Sequence, residues 1–223
     1  MGTITILKET TKNPITLMGK RAGICWGADV SDEKKNYERG LQCIKDGHGR
    51  VMEYVNVEMI IDGYSARVIR EWYTHIGGAP TRLQESTRYI DCANFNYIIP
   101  PTIKKDFARE ASYVSLMCVI QKIYQKLIED GVPKEDAAMI LPLGMTTKII
   151  DKRNLRNLVD MSRQRMCNRA YLEYRQLFGE IIRQLRKYSE EWETIIDICF
   201  HPKCEEYGYC TESKSCGRMP KRT

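Results

Sequence analysis

The sequence predicts an α+β fold, rich in helix, and three observations carry that reading. Segments 103–130 and 154–187 repeat apolar residues at three- and four-residue spacing, the period of a helix. Short runs at 3–8, 50–61, 95–99 and 145–150 are rich in β-branched and aromatic residues and read as strands. The length of 223 residues, 43% of them hydrophobic, suits one domain with a sizeable core, or one domain with an appendage.

In chain order, TITILK (3–8) is an N-terminal or edge strand. Residues 13–28 open with a turn and continue as a short helix. Ser31 or Asp32 caps a helix that runs to about Asp46 and ends at Gly47-His48-Gly49. Residues 50–61 alternate as a strand does, Asp62 to Ser65 turns the chain, and Ser65 caps the next helix. The chain is organised around Arg67 to Tyr97. This stretch begins amphipathic, breaks at Gly77, Gly78 and Pro80, and resumes as a polar run, Thr81 to Tyr89. That run gathers Arg82, Arg88, Gln84, Glu85, Ser86 and Thr87. Two arginine forks beside hydroxyls and an amide suit one anion, although a solvated surface loop has the same composition.

A strand over 95–99 ends at Pro100-Pro101. The helix over 103–130 carries two apolar stripes, Phe107-Ala111-Val114-Cys118 and Leu116-Ile120-Ile123-Leu127, as expected of a helix buried between other elements. Pro133 starts a short helix through about Ile140, and 145–150 is a strand. The second long helix, 154–187, has an odd face. At about 3.6 residues per turn, Arg165, Arg169 and Glu173 fall beside Leu158, Ser162 and Met166. Either Arg169 and Glu173 pair within a packed interface, or the face borders a cleft where Arg165 meets an anion.

Net charge is +6, which favours anionic partners such as nucleotides, folates, nucleic acid or an acidic surface. No single long basic run stands out, so duplex binding is not the leading expectation. No stretch approaches the roughly 18 to 20 apolar residues of a membrane span, and the N-terminus lacks a signal-peptide pattern, so a cytoplasmic protein without a membrane partner is expected. Five cysteines are scattered (Cys25, Cys43, Cys92, Cys118, Cys167) and read as small buried apolar residues. Four others crowd the end: Cys199, Cys204, Cys210 and Cys216. Their spacing is looser than the paired thiolates of structural zinc sites, so no metal is expected. Residues 1–198 read as the body and 199–223 as a cysteine-rich tail.

Taken together, several segments resemble the flavin-dependent thymidylate synthases, in the family's order and over most of the chain. NPITLMGKRAGICW followed by GHGRVMEY looks like the family's opening, with His48 and Glu53 matching and Arg50 and Tyr54 departing. REWYTHI and STRY look like the signature helix and loop. IEDGVPKEDAAMILPLGMTTKI and NLRNLVDMSRQRMCNRAYLEYR resemble the segment leading to the nucleotide-binding helix, and that helix. The resemblance implies a mostly antiparallel sheet with two long helices, in a homotetramer with active sites between subunits. It implies reductive methylation of dUMP to dTMP, with methylenetetrahydrofolate as carbon donor, FAD as hydride carrier and NADPH as reductant.

Residue by residue, the family's Arg-His-Arg triplet reads Thr74-His75-Ile76 here, so both motif arginines are absent. Ser86, Thr87 and Arg88 match the dUMP-binding end, Glu71 stands where a glutamine is common, and Thr74, Gln84 and Glu85 complete that set. His75, Arg82, Gln84, Asn154, Arg156 and Asp160 are implied at FAD, Asp160 where an asparagine is usual. Arg165 matches the arginine that steadies N3-deprotonated uracil, and is the implied catalytic residue. Ala138 replaces an arginine usual before Ile-Leu-Pro. Two alternatives stay open: a nucleotide- or nucleic-acid-binding protein that keeps the fold without the chemistry, and a related hydroxymethyl transfer to a pyrimidine nucleotide.

Overall fold

The computed structural model describes residues 2–222. Strand β1 is Thr3–Ile6 and helix α1 is Pro14–Cys25. Pro14 opens α1 where a missing N–H costs nothing. The next two N–H groups, of Ile15 and Thr16, donate to the Glu191 carboxylate at 2.6 and 3.0 Å. Helix α2, Glu33–Lys45, is capped by Asp32, which accepts from the Lys35 N–H at 3.1 Å. Helices α1 and α2 touch through glycine: a Cβ on Gly19 would lie 1.7 Å from the Asn36 carbonyl oxygen. One on Gly40 would lie 2.0 Å from that of Ile15.

A 3-10 segment, Gly49–Tyr54, leads into β2, Asn56–Ser65. The expected strand from residue 50 therefore starts later, and the expected turn at 62–65 is its last part. The reason is the register of burial. Val55, Val57, Met59 and Ile61 are fully buried at alternate positions, whereas Glu53 and Tyr54 are exposed and line no core face. Ser65 caps α3, Ala66–Trp72, by accepting from the Val68 N–H at 3.2 Å. Strand β3 is Thr81–Gln84, so half of the expected polar loop is sheet.

Short helix α4, Pro101–Lys104, precedes α5, Phe107–Glu129, and Asp106 caps the second by accepting from the Arg109 N–H. That cap divides the helix expected over 103–130. Residues 95–99 make only an isolated bridge, Tyr97 to Met145, rather than a strand. Helix α6, Lys134–Ala137, comes before β4, Thr146–Asn154, which outruns the expected 145–150. Helices α7, Leu155–Arg165, and α8, Leu172–Tyr188, replace the single helix expected over 154–187. Helices α9, Glu190–Cys199, and α10, Lys203–Tyr207, complete the chain.

The fold is α+β, with one antiparallel sheet in the order β1-β2-β4-β3. Long-range contacts divide the chain into two compact units. The first comprises residues 2–3, 61–74 and 83–149. Its core gathers Cys92, Phe95, Met117, Tyr124, Ala137 and Met145. Only Met117 and Tyr124 of α5 are buried, while Phe107, Leu116, Val119 and Ile123 are exposed. The two-sided burial expected of this helix is thus absent from the single chain. The second unit comprises 4–60, 75–82 and 150–222. Its buried residues include Ile15, Met18, Leu158, Leu177, Phe178, Ile181 and Trp192. All nine cysteines are free. Cys43 and Cys92 are buried as expected, but Cys25 and Cys118 are exposed because each lies on the outward face of its helix.

Candidate active site

In the second unit the site is built on the end of β4 and on α7. The inward face of β4 includes Asp151 and Arg153, both fully buried. The Arg153 fork closes on the Asp151 carboxylate with Nε and Nη2 at 2.6 and 2.7 Å. Its Nη1 donates to Asn157 Oδ1 at 2.6 Å, tying the strand to the first turn of α7. A buried guanidinium is tolerable only with such satisfaction. Asn154 caps α7 by accepting from the Asn157 N–H at 2.9 Å. The loop at Gly77-Gly78 lies against these amides. Gly78 has φ of 72°, and a Cβ there would meet Asn154 Nδ2 at 2.1 Å. The breaker read in the sequence is therefore also a point of close approach.

Helix α7 ends at Arg165. Arg165 Nε donates to His75 Nε2 at 3.0 Å, and its guanidinium carbon lies 4.5 Å from the centre of the Tyr174 ring. The His75 ring meets the same tyrosine edge-on, with centroids 6.2 Å apart. Burial, then the charges of Arg165 and Arg153, depress the His75 pKa from 6.5 to about 4. His75 is therefore neutral at pH 7, and the bond from Arg165 puts its one N–H on Nδ1. The neutral imidazole and the aromatic face both hold the guanidinium in place.

The break between α7 and α8 changes the reading of the odd face. Arg169 and Glu173 are not neighbours on one helix. Arg169 pairs with Glu212 and donates to the Lys214 carbonyl at 2.8 Å. Glu173 is buried and accepts from the Tyr171 hydroxyl at 3.2 Å. The remaining residues of this unit are more open. Arg156 donates to Glu53 at 2.6 Å, Asp160 pairs with Arg163, and Arg82 is half-buried. Among the described residues no group of three or more His, Cys, Asp or Glu is arranged to hold a metal.

The first unit holds the other set. Thr74 Oγ1 donates to the Glu71 carbonyl at 2.7 Å. Gln84 Nε2 donates to Thr147 Oγ1 at 3.2 Å. Glu85 and Lys148 exchange two bonds, backbone N–H to carbonyl and backbone N–H to carboxylate. In the turn after β3, Ser86 Oγ accepts from the Arg88 N–H, and the Arg88 side chain pairs with Glu135 at 2.8 Å. Thr87 is half-buried beside them. Gln84 to Arg88 are thus one continuous segment, with the Glu135 carboxylate already on its arginine.

Sequence reasoning missed Tyr174, Asn157 and the Asp151–Arg153 pair. The pair left a signal: two charges at alternate positions of a strand, in step with buried Thr147 and Ile149. Tyr174 left none, because the helix was read as continuous.

Residues 6–189 match a family described as thymidylate synthase complementing protein. A Clostridium tetani protein named flavin-dependent thymidylate synthase is 29% identical, over 98% of this chain and 94% of its own. Proteins of the same name from Pyrococcus furiosus and Thermococcus kodakarensis are each 31% identical. They align over 92% and 93% of this chain, and 88% and 89% of theirs.

Proposed function

Because this chain belongs to the flavin-dependent thymidylate synthase family, we propose that it converts dUMP to dTMP. In this reading methylenetetrahydrofolate supplies the carbon and NADPH the reducing equivalents. The observation that carries the reading is Arg165, a cation fixed between a neutral histidine and a tyrosine face. Uracil becomes nucleophilic at C5 as negative charge builds on its ring. A permanent guanidinium, poor at losing its proton, stabilises that charge better than any titrating group. His75 and Tyr174 orient it before substrate arrives, so no reorganisation is needed during reaction.

Ser86, Thr87 and Arg88 would bind the dUMP phosphate, with Glu71, Thr74, Gln84 and Glu85 around the nucleotide. Arg88 is exposed and reaches a carboxylate at present, which is the geometry a phosphate would take over. His75, Arg82, Gln84, Asn154, Arg156 and Asp160 would hold FAD. The donor set fits a dinucleotide: Arg156 is about half exposed, and Arg82 adds a second cation for its phosphates. When bound, the flavin supplies the hydride that completes the methyl group. The loss of arginines at Thr74 and Ile76 puts more of that work on Arg82 and Arg156.

The assembly we propose is a homotetramer, supported by the exposed apolar residues of α5, Phe107, Leu116, Val119 and Ile123. Residues 1–198 form the catalytic part and 199–223 an addition to it, consistent with a family match that stops at residue 189. Among the described residues no helix is long and apolar enough to cross a membrane, and we propose a cytoplasmic location. The replaced motif arginines favour one second reading, a nucleotide-binding protein without the chemistry. Incubation with dUMP, methylenetetrahydrofolate and NADPH, with nucleotide mass as readout, tests the proposal. A gain of one methyl group supports it. A gain of a hydroxymethyl group, or an unchanged nucleotide bound to colourless protein, refutes it.

A further inference from the structure

The segment after residue 189, beyond the family match, grips the end of α7 at three points. Arg163 pairs with Glu206 of α10 at 3.0 Å. Arg169 donates to the Lys214 carbonyl at 2.8 Å and pairs with Glu212. Arg218 donates from Nη1 to the Met166 carbonyl at 3.1 Å and from Nη2 to Asn168 Oδ1 at 3.2 Å. These ties bracket Arg165 from two residues before it to four after it. Met166 is the C-cap of α7, where carbonyls have no partner within the helix and where a cation meets the negative end of the dipole. The tail and this helix end together line a half-open cleft of about 870 Å³, to which Arg165 also contributes. The tail is itself ordered around this contact: Cys204 and Cys210 are buried, and the Cys210 N–H donates to the Pro220 carbonyl at 2.7 Å.

We infer that Arg218 is a positioning residue for Arg165: by capping α7 from the tail, it fixes where the catalytic guanidinium stands. The inference rests on the proposed role of Arg165. A helix end without its cap frays over the last turn, and the last turn here is Ser162 to Arg165. Displacement by a fraction of an ångström weakens a charge–charge contact that matters in the transition state, while the ground-state contacts of dUMP with Ser86 and Arg88 are untouched.

The test uses the full chain with FAD, in four variants beside the wild type: Arg218→Ala, Arg218→Lys, Arg222→Ala and Arg165→Ala. Arg222 lies over Tyr209 and serves as a tail control. Arg218→Ala is expected to lower kcat for dTMP about five- to tenfold, with KM for dUMP nearly unchanged. Flavin reduction by NADPH without dUMP should keep its rate. Arg218→Lys keeps one donor for the Met166 carbonyl and should recover most of kcat; Arg222→Ala should match wild type. If Arg165→Ala is impaired and Arg218→Ala is not, the inference fails and the reading of Arg165 stands. If Arg218→Ala lowers the melting temperature and both half-reactions together, with no rescue by lysine, the residue is merely structural and the inference fails. Wild-type activity of Arg165→Ala would overturn the reading of Arg165 itself, and this inference with it.

Discussion

His75 gives a prediction whose size follows from the structure. Its pKa falls from 6.5 to about 4 on folding, chiefly through burial and then through Arg165 and Arg153. The sign follows from which state binds the proton. Above about pH 6.5 both the folded and the unfolded chain carry neutral histidine, and nothing is lost. Between about 6.5 and 4 the unfolded chain takes up a proton that the folded chain refuses, so stability falls as pH falls. Taken at face value the difference is about 3 kcal/mol, and the half-open setting of the ring reduces it to about 1 to 2 kcal/mol. For a chain of this size that is a melting-point change of about 2 to 8 °C. Thermal melts of wild type and His75→Gln at pH 7.5 and pH 4.5 isolate the effect from other titrating groups. The wild type should lose more between the two pH values than the variant, by about that margin. Equal losses in the two proteins would mean that His75 is not held neutral and that the bond from Arg165 does not constrain it.

The other predictions test separate parts of the site. Arg165→Ala should cut kcat on the order of 10²- to 10³-fold with a smaller effect on dUMP affinity, and Arg165→Lys should recover little; steady-state kinetics and calorimetry check both. Arg88→Ala should weaken dUMP binding about 10- to 150-fold by calorimetry, the loss of one charge-assisted bond. Glu135→Gln should instead tighten dUMP a few-fold, because it removes the exposed carboxylate that now occupies Arg88. Asp151→Asn leaves Arg153 buried with a neutral partner and should cost about 3 to 5 kcal/mol in urea titrations.

Much of this molecule is legible in the sequence where a local rule and the tertiary fold agree. Asp32 and Ser65 cap helices in the structure because their short polar side chains reach the free N–H groups whatever lies beyond. Gly77 and Gly78 break the chain where read, and His75, before them, lies against Arg165. What failed depends on partners distant in sequence. The segment 50–54 has strand composition, but only from Val55 onward is there a core face for alternate residues to enter. The apolar stripes of α5 suggest burial on two sides, and one side is exposed in the single chain. Arg153 was passed over because it lies beyond the strand expected over 145–150, and only the longer β4 turns it inward to meet Asp151 and Asn157.

The break at residues 166–171 makes the arginine site possible, and it is the feature the sequence hides best. The segment Met166 to Tyr171 contains neither glycine nor proline, and its apolar spacing continues the helical pattern. Were the helix continuous, Arg165 and Tyr174 would be nine residues apart, about 13.5 Å along the axis. No guanidinium could then lie 4.5 Å from that ring. Ending α7 at Arg165 and starting α8 at Leu172 turns the chain so that Tyr174 comes under the arginine, while Arg169 is released outward to Glu212 and the Lys214 carbonyl. The carbonyls exposed by that break need donors, and Arg218 supplies them at Met166. The same interruption therefore creates the cation's aromatic seat and the helix end that Arg218 caps, so one feature of backbone geometry links the proposed site arginine to the segment after residue 199.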